Sequence, residues 1–93
     1  MTDYRIFETN EFQRNLQRLD ARQKSFVEAK LTQRVYPQLR VQPYFGPNIK
    51  KLHGYRPETW RYRLGQFRVF YGIGEASRTV NILTLEYRKD AYR

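Results

Sequence analysis

Residues 60–71 read WRYRLGQFRVFY, and this stretch decides the fold of the C-terminal half. The dipeptide Gly65-Gln66 predicts a two-residue hairpin turn of type II′, because that turn favours glycine at its first central position. The turn fixes which residues of the two strands face each other. The expected pairs are Leu64 with Phe67, Arg63 with Arg68, Tyr62 with Val69, Arg61 with Phe70, and Trp60 with Tyr71.

Side chains of this hairpin alternate between the two faces of the sheet. One face carries residues suited to a core: Trp60, Tyr62, Leu64, Phe67, Val69 and Tyr71. The other carries Arg61, Arg63, Arg68 and Phe70, and we call it the arginine face. Like charges directly opposite each other in a sheet are destabilising by up to about 1 kcal/mol, so this clustering favours an anion-binding site. The alternative is that the arginine stems merely pack over the sheet, with their charges paired to Glu58 or Glu86.

The N-terminal half predicts one strand followed by a helical hairpin. Residues 4–8, YRIFE, alternate like a short strand. Thr9 or Asn10 can cap a first helix, and Asp20 can cap a second. The apolar stripes of the two helices are Phe12, Leu16 and Leu19 in the first, and Phe26, Val27, Leu31 and Val35 in the second.

The dipeptide Tyr36-Pro37 should end or kink the second helix, because a residue before proline avoids the α region. Residues 37–58 are rich in proline and glycine, so we expect a connector with room for one short turn or strand around residues 49–52. The sequence therefore predicts a single α+β domain over residues 1–93. In it, an N-terminal strand and a helical hairpin pack on one face of a small, mainly antiparallel three- to four-stranded sheet.

The last strand-like run, residues 79–87, extends the arginine face. We assign three of its residues to the core: Leu83, Leu85 and Tyr87. The residues expected on the arginine face are Thr84, Glu86 and the following Arg88. The tail then adds Lys89, Tyr92 and Arg93. Tyr92 either stacks on a base or contacts a phosphate, or it pins the C-terminus to the core.

The charge of the chain points to a polyanionic partner. Eighteen Lys and Arg against nine Asp and Glu give a net charge of +9 and a pI near 10.2. Such a surface favours nucleic acid, although it also serves solubility. With no cysteine and one histidine, we expect no metal site and no cofactor. The first residues lack a signal-peptide pattern and no run is long enough to span a membrane, so we expect a cytoplasmic protein without a membrane partner.

Two segments, KKLHGYRPETWRYRLGQFRVFY and EYRKDAYR, resemble the RelE/ParE toxin superfamily of bacterial and archaeal toxin–antitoxin systems. The family pattern runs K-K-L-x-G, R-x-R-x-G, Y-R-V-x-Y and a terminal H-R-K-x-x-Y, and the ordered set spans nearly the whole chain. The resemblance implies one of two activities. The RelE branch cleaves mRNA in the ribosomal A site and is neutralised by a small antitoxin, whereas the ParE branch poisons DNA gyrase.

The resemblance also implies roles for individual residues. The residues carried over as catalytic are Arg61, Arg63, Arg68, Arg88 and Tyr92. Because gyrase-poisoning members generally lack this full set, its presence favours RNA cleavage. Two positions depart from the pattern: Tyr87 stands where many relatives have histidine, and the paired basic positions 61 and 63, often lysine, are both arginine.

Cleavage at an RNA 2′-hydroxyl needs a base, a stabilised phosphorane and a protonated leaving oxygen. Arginine suits the second task, because its planar fork matches two phosphate oxygens, but it stays charged and is a poor base. The candidates for the base remain open: Glu86, His53, Lys50, Lys51 and Tyr92. The residues expected to bind RNA without reacting are Lys50, Lys51, Phe70, Lys89 and Arg93.

The leading hypothesis is therefore a ribosome-dependent endoribonuclease toxin, with a cognate antitoxin, the ribosome and mRNA as partners. Two alternatives remain. One is a ParE-like toxin that inhibits DNA gyrase, and the other is a non-catalytic basic module that binds nucleic acid or a protein.

Overall fold

A computed structural model describes residues 3–88 of the chain. Its strands are β1 (Arg5–Glu8), β2 (Ile49–Lys51), β3 (Trp60–Leu64), β4 (Phe67–Gly74) and β5 (Thr79–Tyr87). Its helices are α1 (Asn10–Gln17), α2 (Ala21–Lys30) and α3 (Tyr36–Val41), with a π-helical turn (Leu31–Val35) between α2 and α3. Within the described residues, no helix combines the length and apolar character that a transmembrane span requires.

The five strands form one sheet in the order β1-β5-β4-β3-β2. β1 runs parallel to β5, and the other neighbouring pairs are antiparallel. The predicted α+β architecture is confirmed, but the strand count of three to four was too low, and β1 lies in the sheet as an edge strand beside β5 instead of packing on one face of it. The fifth strand is β2, which the proline- and glycine-rich connector limits to three residues, Ile49–Lys51.

The two helices of the hairpin begin directly after residues that were predicted to cap them, Thr9 and Asp20. Thr9 accepts the backbone N–H of Phe12 at 3.1 Å, and Asp20 accepts that of Gln23 at 2.8 Å. Each bond satisfies a donor that the first turn of a helix leaves without a partner. Of the two caps considered for α1, the structure therefore uses Thr9.

The helical path continues beyond Pro37, so the prediction of a connector from residue 37 was wrong for residues 37–41. In the π-helical turn, the N–H of Tyr36 bonds to the carbonyl of Leu31, five residues earlier. This wider turn accommodates Pro37, whose ring would clash with the carbonyl four residues back in a regular helix. Pro37 then lies in the first turn of α3, where its missing N–H is tolerated.

The core lies between the helices and one face of the sheet. The helices contribute Phe12, Leu16, Val27, Leu31, Val35 and Leu39. The sheet contributes Trp60, Tyr62, Leu64, Phe67, Val69, Tyr71, Val80, Ile82 and Leu85. Two residues of the predicted helical stripes are less buried: Leu19 is half-buried, and Phe26 is exposed. The opposite face of β2–β5 has no helix over it among the described residues, and this is the arginine face.

A cluster of polar side chains links the β4–β5 turn to Tyr4 and Tyr44. The Glu75 carboxylate accepts hydrogen bonds from the hydroxyls of Tyr44 and Tyr4, each at 2.7 Å, and from Arg78 at 2.9 Å. These bonds, that of Tyr44 being the largest cause, hold the pKa of Glu75 below its ordinary value. Because the carboxylate form is favoured in the folded state, the cluster should make stability depend on pH.

We expect Glu75→Gln to lower the stability of the protein at neutral pH. Since the folded-state pKa of Glu75 is depressed, its stabilising effect is complete above the unfolded-state pKa of about 4.3 and is lost as pH falls through the folded-state value. Urea unfolding at a series of pH values checks this. The stability difference between the two proteins should be largest near pH 7 and vanish in acid, and a difference independent of pH would contradict the role given to Glu75.

Candidate functional site

The arginine face consists of side chains that the sheet register aligns in rows. The first row runs from β2 to β5 through Lys50, Arg61, Phe70 and Thr84. The second runs from β3 to β5 through Arg63, Arg68 and Glu86. Directly opposite residues have Cβ atoms about 4.5–5.5 Å apart, so the three hairpin arginines and Lys50 share one small area. All five predicted pairs of the hairpin are confirmed, and Gly65 adopts the positive φ (61°) that the predicted turn requires.

Arg88 extends this area at the end next to the hairpin turn. It follows β5 directly, and its backbone N–H bonds to the carbonyl of Gln66 at 2.7 Å. Its charge contributes to the lowered pKa of Arg61, so its guanidinium belongs to the same cluster. The structure therefore brings together the four arginines that the sequence singled out.

The electrostatics of the cluster favour an anion. The pKa of Arg61 is lowered mainly by burial and then by the charges of Arg63, Arg68 and Arg88. An arginine remains a cation at neutral pH even so, because its unperturbed pKa exceeds 12. Four mutually repelling cations on one face are stabilised by any group that brings negative charge between them.

Arg68 occupies the centre of the cluster and has unused hydrogen-bonding capacity. One of its terminal nitrogens is paired with a carboxylate oxygen of Glu86, and its guanidinium lies 5.6 Å from the centre of the Phe70 ring. Its Nε is buried and has no acceptor within residues 3–88. A buried donor without a partner costs about 1–3 kcal/mol, which the oxygen of a bound anion would offset.

A β-bulge in β5 determines which of its residues reach the arginine face. Phe70 pairs with Thr84 and Tyr71 with Ile82, which leaves Leu83 without a partner on β4. The alternation of faces therefore shifts at Leu83. Thr84 and Glu86 lie on the arginine face, as predicted.

The same bulge overturns the predicted core position of Leu83. The buried residues of β5 are Val80, Ile82 and Leu85, whereas Leu83 is half-buried at the bulge. Leu85 is in the core, as predicted. Tyr87 lies opposite Phe67 and stacks on it with ring centroids 4.8 Å apart, but it is 39% exposed, so its predicted place in the core was wrong.

Helix α1 contacts the bulge at the edge of β5, beyond the point where β1 ends. The β1–β5 pairing ends at Glu8 and Ile82, so the later peptide groups of β5 have no strand on that side. The Thr9 hydroxyl lies 2.9 Å from the carbonyl oxygens of both Ile82 and Leu83, to which it donates. The Asn15 side chain accepts the N–H of Leu85 at 2.9 Å. Thr9 and Asn15 thus hold β5 in the register that sets Glu86 against Arg68.

We expect Asn15→Ala to destabilise the protein by about 1–3 kcal/mol, because the N–H of Leu85 loses its acceptor in a partly buried place. The same change should increase the hydrogen-exchange rate of the Leu85 amide. Asn10→Ala is the matched control, since Asn10 is an exposed asparagine of the same helix and should change stability by no more than about 0.5 kcal/mol. Equal effects of the two substitutions in urea unfolding would show that Asn15 does not support the bulge.

Several residues predicted from the sequence lie away from this cluster. Lys51 is opposite Trp60 on the other face, where it pairs with Glu58 at 2.9 Å and lies 5.7 Å from the centre of the Trp60 ring. His53 is exposed in the turn after β2. The predicted positions of Lys89, Tyr92 and Arg93 lie outside the described residues.

The structure also adds residues that sequence reasoning missed. Asn15 supports the bulge, as does Thr9 in addition to its predicted role as a helix cap, and Tyr55 and Thr59 line a cleft beside Phe70. The only sequence signal for the bulge was that both faces of residues 79–87 are apolar, which does not fit strict alternation. Tyr55 and Thr59 belong to a loop whose path depends on contacts distant in the sequence, and no local pattern pointed to them.

The fold recurs in solved toxin structures. A scan against protein-family models and a search of curated proteins gave no match. Among solved structures, the chain is 26% identical to a chain of the archaeal RelE–RelB complex from Pyrococcus horikoshii, with a TM-score of 0.67 over 96% of this chain and 98% of that one. It is 25% identical to a chain of the toxin–antitoxin complex RelBE2 from Mycobacterium tuberculosis, with a TM-score of 0.72 over 95% and 94% of the two chains.

The chain belongs to the RelE-like toxin superfamily. The isolated RelE toxin of Escherichia coli shares the fold at 17% identity, with a TM-score of 0.62 over 96% of this chain and 90% of that one. As a RelE-like toxin, the protein carries its basic cluster on a sheet face that the helices leave open. That face can bind an anion in a fixed orientation, because three of its arginines belong to paired strands and Arg88 directly follows β5.

Proposed function

We propose that this RelE-like protein is a ribosome-dependent endoribonuclease that cleaves mRNA during translation. The observation that carries the proposal is that four arginines lie together on one open sheet face: Arg61, Arg63, Arg68 and Arg88. The repulsion between their charges favours the binding of an anion. A phosphate of the RNA backbone is the anion whose oxygens match the guanidinium fork. Superfamily membership supports a phosphate that belongs to RNA.

The proposed reaction is an attack of the RNA on its own backbone. A 2′-hydroxyl loses its proton to a base, its oxygen bonds to the adjacent phosphorus, and the bond from phosphorus to the 5′-oxygen breaks. The leaving 5′-oxygen takes up a proton, so the products carry a 2′,3′-cyclic phosphate and a 5′-hydroxyl. The arginine face stabilises the additional negative charge on the phosphorane, and one such stabilising group contributes about 10²–10³ in rate.

The arginine face provides fewer groups for proton transfer than for phosphate binding. Of the candidates for the base, Glu86 and Lys50 lie in the two rows of the arginine face, whereas Lys51 and His53 do not. Glu86 keeps a carboxylate oxygen, Oε2, that is not paired with Arg68. We infer that the toxin relies mainly on electrostatics and on the ribosome, which holds mRNA in a reactive geometry, since positioning alone can lower a barrier by several kcal/mol.

The proposal includes a cognate antitoxin as the resting partner. Two similar solved structures are complexes of a RelE-type toxin with its antitoxin. A net charge of +9 and an open basic face suit an antitoxin with acidic segments, which would cover the arginine face until it is removed. Because the proposed target is the translating ribosome, we expect the activity in the cytoplasm.

Expression of the chain in the absence of an antitoxin tests the proposed function. Protein synthesis should stop, and mRNA should acquire cuts within translated regions. Growth arrest with a DNA-damage response and intact mRNA would overturn the proposal in favour of gyrase inhibition. Unimpaired growth at a verified level of folded protein would overturn it in favour of a non-catalytic binding module.

A further inference from the structure

A small cleft lies directly beside the arginine face. It has a volume of about 280 Å³ and is lined by Tyr55, Thr59, Phe70, Leu83, Thr84 and Glu86. We refer to it as the Tyr55–Phe70 cleft. The bulge in β5 helps to form it, because Leu83 faces the cleft instead of the core.

The walls of the cleft combine aromatic surface with unused polar groups. Tyr55 is 53% exposed although its ring is apolar, and Phe70 is only half-buried. The hydroxyl of Thr84 makes no hydrogen bond within residues 3–88, and Glu86 Oε2 also remains an unoccupied acceptor there. Flat apolar walls with a few polar groups at the rim are typical of a site for a planar, polar molecule such as a nucleobase.

The cleft and the anion site share residues, so that molecules bound in the two places would be neighbours. Phe70 lies directly opposite Arg61, and its ring is 5.6 Å from the Arg68 guanidinium. Glu86 pairs with Arg68 and also lines the cleft. An RNA phosphate on the arginine face would therefore place the base of the same or the next nucleotide at the cleft.

We propose that the Tyr55–Phe70 cleft binds the base of a single-stranded RNA nucleotide next to the phosphate held by the arginine face. Tyr55 and Phe70 contribute stacking surface. Glu86 Oε2 accepts a hydrogen bond from an exocyclic amino group, so cytosine binds better than uracil, which presents a carbonyl oxygen at the same position. The inference rests on the proposed function for the identity of the ligand as RNA, but it concerns binding and not cleavage.

The test uses binding to RNA that cannot be cleaved. The probes are fluorescein-labelled hexacytidylates with 2′-O-methyl groups, one intact and one series with a single abasic nucleotide moved along the strand. Fluorescence anisotropy gives the Kd for wild type, for Tyr55→Ala and for a matched control, Phe45→Ala. The control removes an aromatic ring that is 75% exposed and lies outside the arginine face. Removal of a stacking partner weakens binding roughly tenfold or more.

We expect Tyr55→Ala to bind the intact probe roughly tenfold more weakly, and Phe45→Ala to bind it like wild type. One abasic position should weaken wild type by a similar factor and add little to the loss in Tyr55→Ala, because both changes remove the same contact. Wild type should also prefer hexacytidylate to hexauridylate, and Glu86→Gln should reduce that preference. No effect of Tyr55→Ala, an equal further loss at every abasic position, or no binding by wild type would overturn the inference.

These outcomes are separable from the test of the proposed function. A protein that cuts ribosome-bound mRNA but shows no coupling between Tyr55 and an abasic position refutes only the cleft. A protein that shows the coupling but cuts no mRNA refutes only the proposed nuclease activity.

Discussion

Replacement of Arg68 by alanine is expected to slow the cleavage of ribosome-bound mRNA by about 10²–10³, the usual effect of removing one stabiliser of transition-state charge. Arg68 lies between Arg63 and Glu86 in its row, and its buried Nε has no acceptor within residues 3–88. The fold should survive, because the ion pair with Glu86 is partly exposed and such pairs contribute about 1 kcal/mol or less. Single-turnover rates on ribosomes programmed with one mRNA measure the effect.

Two further variants separate charge from geometry. Arg68→Lys keeps the positive charge but loses the planar fork, so it should recover only part of the rate. Arg14→Ala removes the same charge from an exposed position of α1 and should leave the rate near that of wild type. Equal rates for Arg68→Ala and wild type, with both folded, would mean that the arginine face is not the catalytic surface.

The largest expected effect on stability comes from Phe12→Ala. Phe12 has no exposed surface and lies on α1, which packs against β5. Truncation of a buried phenylalanine costs about 3–5 kcal/mol through lost burial and the cavity that remains. A domain of this size has a total stability of roughly 5–14 kcal/mol, so much of the margin should disappear. Urea unfolding monitored by the fluorescence of Trp60 measures the loss.

Phe7→Ala is the matched control for this prediction. Phe7 is 58% exposed on β1, and its removal should change the free energy of unfolding by about 0.5 kcal/mol or less. A comparable loss in both variants would contradict the position of the core between the helices and the sheet.

The local part of the fold was predictable from the residues themselves. Gly65-Gln66 fixed the hairpin register, and strict alternation then assigned Arg61, Arg63 and Arg68 to one face. Thr9 and Asp20 predicted the helix starts, because short polar side chains satisfy the first N–H groups of a helix. These features depend on interactions between residues that are close in sequence.

The features that escaped prediction depend on residues distant in sequence. The bulge at Leu83 is held by Asn15, some seventy residues away, and it moved Leu83 out of the core. The separation of Lys50 from Lys51 required the pairing of β2 with β3, which a three-residue strand between prolines and glycines does not reveal. The π-helical turn is an exception: it lies next to Pro37, and a proline predicts the end or the kink of a helix more readily than a wider turn that continues it.

The site was predictable to the same extent as its strands. The hairpin supplied three of the four arginines, and alternation along residues 79–87 added Arg88, to which the resemblance of EYRKDAYR to the superfamily pattern then gave a catalytic role. The Tyr55–Phe70 cleft could not be predicted, because it joins a loop residue to the bulge of β5. The general base is still one of several candidates, of which Glu86 and Lys50 lie on the arginine face.

The most direct test of the central claim is the identity of the RNA ends that the purified protein produces on ribosomes programmed with a defined mRNA. Ribosome-dependent cleavage through the arginine face predicts a cut within the A-site codon, with a 2′,3′-cyclic phosphate on one product and a 5′-hydroxyl on the other. The same mRNA without ribosomes should remain intact over the same time. Intact ribosome-bound mRNA, or products that carry a 5′-phosphate, would contradict the account.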